Sequence, residues 1–221
     1  MSLFQRLKGD CSPEWETYTR HEFVLGMADG TLPKASFRHY LIQDYLFLIQ
    51  FARAYGLAVY KANSLDRMRE ALNGLKAILE VEMLLHLKLC AEWGLSPEEV
   101  EKAPESLATM AYTRFVLEAG QSGDLLDLYV SLAPCMVGYA EIGKALASGE
   151  EGNLSDNPYK VWIEEYSSSE YQQLADDTIG LIDTLAEESF TERRYPRLRE
   201  LFRQSTRLEA DFWEMGLRVS P

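Results

Sequence analysis

A cysteine, Cys135, lies inside an apolar helical segment of this chain, LLDLYVSLAPCMVGYAEIGKAL. It directly follows Pro134, which removes a backbone donor from the middle of a helix. Tyr139 lies one helical turn beyond the cysteine, so the thiol and the phenol share one face. An ionised thiol is a nucleophile, and Gly138 leaves the backbone beside it approachable. This spacing predicts a face that could hold a ligand, although a small buried hydrophobic cysteine fits the same pattern.

Two carboxylates also interrupt apolar stripes. Asp44 completes the helical spacing between Leu41 and Phe47, and Glu209 lies four residues before Trp213. Because burial of an unpaired carboxylate is costly, we expect each to be paired, to line a cavity, or to lie at the margin of its helix. Cysteine and carboxylates thus come from three separate segments.

Facing helices of a bundle bring such side chains together, which makes a shared pocket a reasonable hypothesis. Two further tyrosines, Tyr112 and Tyr166, lie on apolar stripes of other segments. Phenols offer flat apolar surface with a hydrogen-bonding tip and would suit a planar heteroaromatic ligand. The alternative that each tyrosine is ordinary core remains open at this point.

The elements that must position these residues are all predicted to be helices. Apolar residues recur at the 3.6-residue period, no run of alternating β-branched residues occurs, and seven of eight prolines lie at segment edges or the chain end. The length of 221 residues favours one domain over residues 1–221, an antiparallel helical bundle. Besides a first helix carrying Trp15, and a short one at Pro97, the predicted helices are 34–62, 65–92, 104–120, 125–146, 159–166, 169–188 and 194–217.

Charge and cysteine content limit the possible partners. The formal net charge of −13 argues against nucleic acid or an anionic membrane, which require clustered Lys and Arg, and favours a small molecule or another protein. Three cysteines in a chain of this size predict reduced thiols and a cytoplasmic protein. The start MSLFQRLKGD has no signal-peptide pattern, so we expect a soluble protein that is not exported. Cys11 and Cys90 are taken as structural.

Five segments in order carry a resemblance to a known family. They are FRHYLIQDYLFLIQFARAY, the tyrosine of MAYTRF, PCMVGYAEIG, YKVWIEEYSSSEY and STRLEADFWEMG. Together they resemble the TenA family of thiaminase II and aminopyrimidine aminohydrolases over nearly the whole chain. The resemblance implies a haem oxygenase-like all-α bundle, a homotetramer, and hydrolysis of 4-amino-5-aminomethyl-2-methylpyrimidine to the hydroxymethyl pyrimidine in thiamine salvage, with slower cleavage of thiamine.

The resemblance also implies roles for individual residues. Cys135 matches the nucleophile of the cysteine-bearing branch, Glu209 the catalytic acid and Asp44 the pyrimidine-binding aspartate. The pocket tyrosines match Tyr112, Tyr139 and Tyr166, and Phe47 departs from the pattern because many relatives have a tyrosine there. Neither a cofactor nor a metal is expected. Glu209 can donate a proton near pH 7 only if its pKa is raised from about 4.3, as an apolar stripe would do.

Different chemistry on the same bundle is one rival reading of the sequence, either a haem-binding oxygenase or a di-metal oxidase. None of the three histidines has the Glu-x-x-His spacing of a ferritin-like site, although His21 could serve as a haem ligand. Glu82 and His86 are one turn apart, and we expect a capped or surface pair there rather than a metal site. A non-catalytic helical regulatory module is a second rival, and a nucleic-acid-binding regulator is a third and less favoured one.

Overall fold

The computed structural model describes residues 2–149 and 154–221, and the regular elements in this part of the chain are all helices. The α-helices are α1 Leu3–Asp10, α2 Ser12–Thr19, α3 Glu22–Ala28, α4 Lys34–Lys61, α5 Leu65–Ala77, α6 Met83–Glu92, α7 Pro97–Lys102, α8 Leu107–Ser122, α9 Leu125–Ser148, α10 Lys160–Ser167, α11 Ser169–Ser189 and α12 Tyr195–Arg218. The predicted loop 148–157 falls partly on residues 150–153, which lie outside the described residues.

The chain divides into two compact units. Unit 1 comprises Met1–Pro33 and Tyr129–Glu214, and unit 2 comprises Lys34–Leu128 and Met215–Pro221. Helices α9 and α12 therefore contribute residues to both units. The expectation of one domain over the whole chain stays a prediction.

The first helices of unit 1 differ from the predicted pattern. The sequence predicts a helix capped by Ser12, but Cys11 is the cap and Ser12 is the first residue of α2. Helix α1 is not predicted; its start is capped by the Ser2 side chain, and the Leu3 N–H donates to Asp183 Oδ1 on α11 at 2.8 Å. Because eight residues carry little helical signal of their own, this helix depends on its tertiary contacts.

Pro134 lies inside α9 without ending it, as the helical pattern on both sides of it predicts. The Tyr18 hydroxyl donates to the Pro134 carbonyl at 3.3 Å within the buried interior of unit 1. A Cβ atom at residue 138 would lie 2.3 Å from the Tyr18 ring, so only glycine fits there. The proline and the glycine that the sequence marks as irregular thus both contact Tyr18.

Unit 2 is organised around α4, which packs against α5, α6, α7 and α8. The Gln43 side chain on α4 donates to the Pro104 carbonyl and accepts from the Ser106 N–H at 2.8 Å. Ser106 in turn caps α8 through the Thr109 N–H. This capping starts α8 at Leu107, later than the predicted start at residue 104, since residues 104–106 form the polar junction with α4.

The predicted helix 65–92 passes through a π-helical turn, Ile78–Glu82, between α5 and α6. In a regular helix at about 100° per residue, His86 would lie about 80° away from Ile78 around the axis, whereas the extra residue of a π turn reduces this to about 20°. Ile78, His86 and Cys90 are accordingly all buried. The π turn therefore rotates His86 towards the interior of unit 2.

Helix α9 is long and apolar enough to span a membrane, by length and composition only. Of its most apolar 18-residue window, 89% is buried inside the protein, which is typical of the core helix of a globular protein.

Candidate active site

Four aromatic side chains of unit 1 form a continuous cluster, which we call the aromatic cluster: Tyr139, Trp162, Tyr166 and Trp213. The Tyr139 ring centroid lies 5.0 Å from that of Tyr166 and 5.2 Å from that of Trp213. Trp162 packs 4.4 Å from Tyr166 and 5.8 Å from Tyr139. These distances are those of favourable aromatic pairs, so α9, α10 and α12 meet through flat rings at this point.

Cys135 and Glu209 border the aromatic cluster from two helices. Cys135 lies one turn before Tyr139 on α9, and Glu209 lies one turn before Trp213 on α12, so each shares a face with its ring. The Cys135 residue is half-buried, whereas Glu209 is only 1% exposed. The Glu209 position is therefore truly buried and not a helix margin.

The Tyr166 backbone is held tightly against α9. A Cβ atom at residue 143 would lie 2.5 Å from the Tyr166 carbonyl carbon, so Gly143 permits the close approach of α10. The Gln172 side-chain amide donates to the carbonyls of both Ala140 and Tyr166, at 2.8 and 2.9 Å. This cross-link fixes the end of α10 that carries Tyr166.

In unit 2, Asp44 lies in a buried polar contact on α4. The residue is 5% exposed, and its Oδ2 accepts from the Tyr40 hydroxyl at 3.3 Å and lies 3.4 Å from Nδ1 of His86. The second ring nitrogen of His86, Nε2, lies 2.8 Å from the Leu41 carbonyl oxygen. Asp44 is thus also buried and paired, not marginal.

Burial opposes charge on both partners of this contact. Desolvation raises the pKa of Asp44 to about 7, although the Tyr40 hydrogen bond works against that rise. Desolvation lowers the pKa of His86 to about 4, against the opposite effect of the Leu41 carbonyl. The contact has the geometry of an ion pair, but the low-dielectric surroundings favour two neutral groups that hold one proton between them.

Phe47 and Tyr112 complete the predicted residues of unit 2. Phe47 lies three residues after Asp44 on α4, and its ring centroid is 5.1 Å from that of Tyr112 on α8. Phe51 stacks on Phe47 at 5.7 Å. Both predicted residues are buried.

The predicted site residues therefore fall into two groups. Unit 1 holds Cys135, Tyr139, Tyr166 and Glu209 around the aromatic cluster, and unit 2 holds Asp44, Phe47 and Tyr112 on α4 and α8. That all seven line one pocket stays a prediction. Trp162 and Trp213 were missed as site residues, although their spacing from Tyr166 and Glu209 is that of one helical turn.

The expectation for His86 was wrong. The sequence pattern favours a capped or surface pair with Glu82, but the His86 ring is 7% exposed and faces Leu41 and Asp44. Asp44 in an apolar stripe is a signal that a buried partner exists, since a buried carboxylate requires one, but it does not indicate which residue that partner is.

The remaining two histidines also have partners within their units. His21 caps α3 by accepting from the Phe23 N–H at 3.2 Å, and its Nε2 lies 3.4 Å from Glu214 Oε2. His39 Nε2 contacts the Ser220 carbonyl at 2.8 Å. Within residues 2–149 and 154–221, no group of three or more His, Cys, Asp or Glu side chains is arranged to hold a metal ion.

The remaining cysteines, Cys11 and Cys90, are buried, whereas Cys135 is half-buried. Burial raises the pKa of the Cys11 thiol to about 11 and that of Cys90 to about 12. Both therefore remain protonated thiols at neutral pH and behave as small apolar side chains, which fits the structural role expected for them.

Comparison with known proteins gives a consistent result. The model of the TENA/THI-4/PQQC family matches residues 10–219. An aminopyrimidine aminohydrolase of Halalkalibacterium halodurans is 39% identical over 217 residues, covering 98% of this chain and 96% of that protein. A crystal structure from Silicibacter sp. TM1040, described as a TenA family transcription regulator, has a TM-score of 0.91 and 42% identity, covering 97% of this chain and 96% of that one.

A more distant structure identifies the fold. A domain of unknown function with a haem oxygenase-like fold from Shewanella denitrificans superposes with a TM-score of 0.77 at 14% identity, covering 98% of this chain and 92% of that one. The expected all-α, haem oxygenase-like fold is confirmed.

Proposed function

Because the chain belongs to the TENA/THI-4/PQQC family, we propose that it is an aminopyrimidine aminohydrolase of thiamine salvage that uses Cys135 as its nucleophile. Its substrate is 4-amino-5-aminomethyl-2-methylpyrimidine, its products are ammonia and the hydroxymethyl pyrimidine, and thiamine is cleaved more slowly. The curated relative from Halalkalibacterium halodurans is named aminopyrimidine aminohydrolase and matches the chain over nearly its full length.

One observation carries the proposal beyond the family name. The Cys135 thiol lies one helical turn from Tyr139, and the buried Glu209 carboxyl lies one helical turn from Trp213. The rings of Tyr139 and Trp213 are in contact, with their centroids 5.2 Å apart. A nucleophile and a proton donor beside flat rings suit covalent chemistry on a planar heteroaromatic substrate. A scaffold without chemistry would carry apolar residues at these positions.

Direct displacement of ammonia by water at the methylene carbon beside the ring is slow at neutral pH. The proposed reaction therefore proceeds through covalent addition of the enzyme to the ring. The Cys135 thiolate adds to the ring carbon next to the substituted carbon, while Glu209 gives its proton to a ring nitrogen. The electron pair of the dearomatised ring then expels ammonia from the methylene. Water adds to the exocyclic methylene, and elimination of the thiolate restores the aromatic ring and the starting form of the enzyme. In unit 2, the Asp44 carboxyl accepts a hydrogen bond from the exocyclic amine and orients the ring.

Ammonia release from 4-amino-5-aminomethyl-2-methylpyrimidine tests this proposal, with thiamine measured in parallel. Cys135→Ala should lose turnover by at least about 1,000-fold because the covalent step has no nucleophile, while binding of the hydroxymethyl product is retained. Cys11→Ala, which also removes a thiol from unit 1, should turn over at the wild-type rate. Near-normal turnover in Cys135→Ala would remove the covalent mechanism, and no turnover by the wild type would remove the assigned substrate.

A regulatory role is the second candidate, because the Silicibacter relative is described as a transcription regulator. The acidic balance of 35 Asp and Glu against 22 Lys and Arg opposes DNA binding. Retention of a DNA fragment by the wild type at low salt, together with absent turnover, would favour this candidate over the hydrolase.

We further propose a cytoplasmic homotetramer, as expected from the cysteine content and the family resemblance. Helices α5, α6 and the π turn between them expose seven large apolar side chains, and an assembly would cover them: Leu65, Met68, Leu72, Leu79, Val81, Leu84 and Leu85. Light scattering should give four times the mass of one chain. Leu84→Glu should lower that mass, whereas Leu25→Glu, at a similarly exposed leucine of unit 1, should not.

A further inference from the structure

The contact between Asp44 and His86 has a defined protonation pattern. Nε2 of His86 lies 2.8 Å from the Leu41 carbonyl oxygen, which can only accept a hydrogen bond, so Nε2 carries a hydrogen. Nδ1 faces Oδ2 of Asp44 at 3.4 Å. Two bare lone pairs at this distance inside a protein would repel each other, so one proton lies between them, either on the carboxyl or on Nδ1.

The carboxyl of Asp44 is held from one side only. Among the described residues, its two polar contacts, from Tyr40 and His86, are both made to Oδ2. Oδ1 therefore has acceptor capacity that these two contacts do not use.

We propose that His86 is a positioning residue for Asp44. The His86 ring anchors Oδ2, and it takes up the carboxyl proton when the amine of an aminopyrimidine donates a hydrogen bond to Oδ1. The inference rests on the proposed function, in which Asp44 binds that amine. The transfer is balanced within the pair: the O–H bond of Asp44 breaks, the Nδ1–H bond of His86 forms, and neutral acid and imidazole become carboxylate and imidazolium. Asp44 can thus ionise on binding without releasing a proton to solvent.

The surroundings leave this pair as the group that titrates near neutrality. The titratable side chains close to the pair include Tyr40, Tyr45, Glu82, Cys90 and Glu101. Burial raises the pKa of Tyr45 and raises that of Cys90 to about 12, so neither loses its proton near pH 7. The pKa of Asp44, about 7, lies above that of His86, about 4, so the shared proton rests on the carboxyl until a ligand hydrogen bond to Oδ1 stabilises the carboxylate.

The backbone supports a specific role for His86. One π turn, Ile78–Glu82, interrupts the α-helical hydrogen-bond pattern between α5 and α6 and aligns His86 with the buried face. Such turns recur at functional sites, where they re-aim one side chain. A purely apolar interface at α6 would have needed no such adjustment.

The first experiment is independent of substrate. The protein has three histidines, so long-range ¹⁵N–¹H correlation spectra resolve each imidazole. We expect His86 to carry its hydrogen on Nε2 at pH 6 to 7, and Asp44→Asn to shift its Nδ1 resonance while those of His21 and His39 stay in place. A His86 protonated on Nδ1 with a bare Nε2, or one unaffected by Asp44→Asn, would overturn the shared proton.

The second experiment measures binding of 4-amino-5-hydroxymethyl-2-methylpyrimidine by calorimetry between pH 5.5 and 7.5, in buffers of different ionisation enthalpy. His86→Gln should weaken binding about tenfold to 100-fold at pH 7. At pH 5.5, where Asp44 of the free protein holds its proton, it should also release close to one more proton per ligand than the wild type, because Asp44 must then lose that proton to solvent. His39→Gln removes a similar histidine contact to a backbone carbonyl in unit 2 and should match the wild type.

The outcomes separate the two hypotheses. Weaker binding by His86→Gln with unchanged proton release would mean that His86 only packs against α4, which overturns the positioning role. Absence of binding by the wild type would overturn the proposed function and the role of His86 toward the amine, whereas the spectra would still decide whether the pair shares a proton.

Discussion

The two groups of candidate residues have different neighbours within their units. In unit 1 the candidate thiol and carboxyl, Cys135 and Glu209, each lie one helical turn from a ring of the aromatic cluster. In unit 2 the carboxyl of Asp44 is equally buried but is held by Tyr40 and His86 through hydrogen-bonding atoms. Under the proposed function, the residues of unit 1 react with the substrate and the carboxyl of unit 2 binds it. Variants in unit 1 should therefore lower kcat, and variants in unit 2 should lower affinity.

After Cys135→Ala, the largest effect expected from this contrast is in Glu209→Gln. The amide keeps the shape of the side chain but cannot deliver a proton to the ring nitrogen, so kcat should fall about 100- to 1,000-fold. The KM value should change little, because the substrate is oriented elsewhere. Steady-state ammonia release measures both constants.

A matched control lies on the same helix. Asp211→Asn removes a carboxylate two residues further along α12, at an exposed position, and should leave kcat unchanged. If Glu209→Gln raised KM with kcat intact, Glu209 would bind the substrate and would not protonate it. The assignment of reaction to unit 1 and of binding to unit 2 would then be wrong.

An intermediate effect is expected in Asp44→Asn. An asparagine can present its NH₂ group to the amine, so affinity for the hydroxymethyl pyrimidine should fall about tenfold to 100-fold, with a smaller loss in kcat. Asp127→Asn is the control, since Asp127 is another buried carboxyl of unit 2 and accepts from the Asp124 N–H at the start of α9. Asp127→Asn should alter stability and leave affinity unchanged.

Asp44 should also affect stability with pH. Its folded pKa of about 7 lies above the ordinary aspartate value of 3.8, so the folded state holds the proton more tightly than the unfolded state. This stabilisation is complete below pH 3.8 and is lost as the pH rises towards 7. The free energy of unfolding of the wild type should therefore fall relative to Asp44→Asn between about pH 4 and 7, as urea titrations would measure. Equal pH profiles would contradict a buried, protonated Asp44.

The same contrast explains what the sequence could predict. Cys135, Asp44 and Glu209 were identifiable because each interrupts an apolar stripe, a signal that depends on local spacing alone. Most of the helices were predicted from the same period. Helix α9 was among them, because the helical pattern continues on both sides of Pro134. The resemblance to a known family supplied the roles, and the family and its fold are confirmed.

The partner of Asp44 could not be predicted because a π turn leaves no mark on composition. Counting at 3.6 residues per turn from Ile78 places His86 off the buried face, and only the inserted residue brings it back. Helix α1 was missed for a related reason, since its stability comes from contacts with residues distant in the chain, such as Asp183. Long-range contacts and local departures from the helical period are the features that lie beyond such patterns.

The smallest effect expected is in Phe47→Tyr, which sharpens the assignment of recognition to unit 2. Phe47 packs against Tyr112 at 5.1 Å and lies three residues from Asp44, so a hydroxyl on its ring would add one hydrogen-bonding group beside the recognition carboxyl. The affinity for the hydroxymethyl pyrimidine should improve about twofold to tenfold. Phe51→Tyr adds the same hydroxyl one turn further along the stack and should give no gain. A gain in kcat without a change in affinity would instead assign Phe47 to the reacting side of the site, and the separation of reaction from recognition would then not follow the two units.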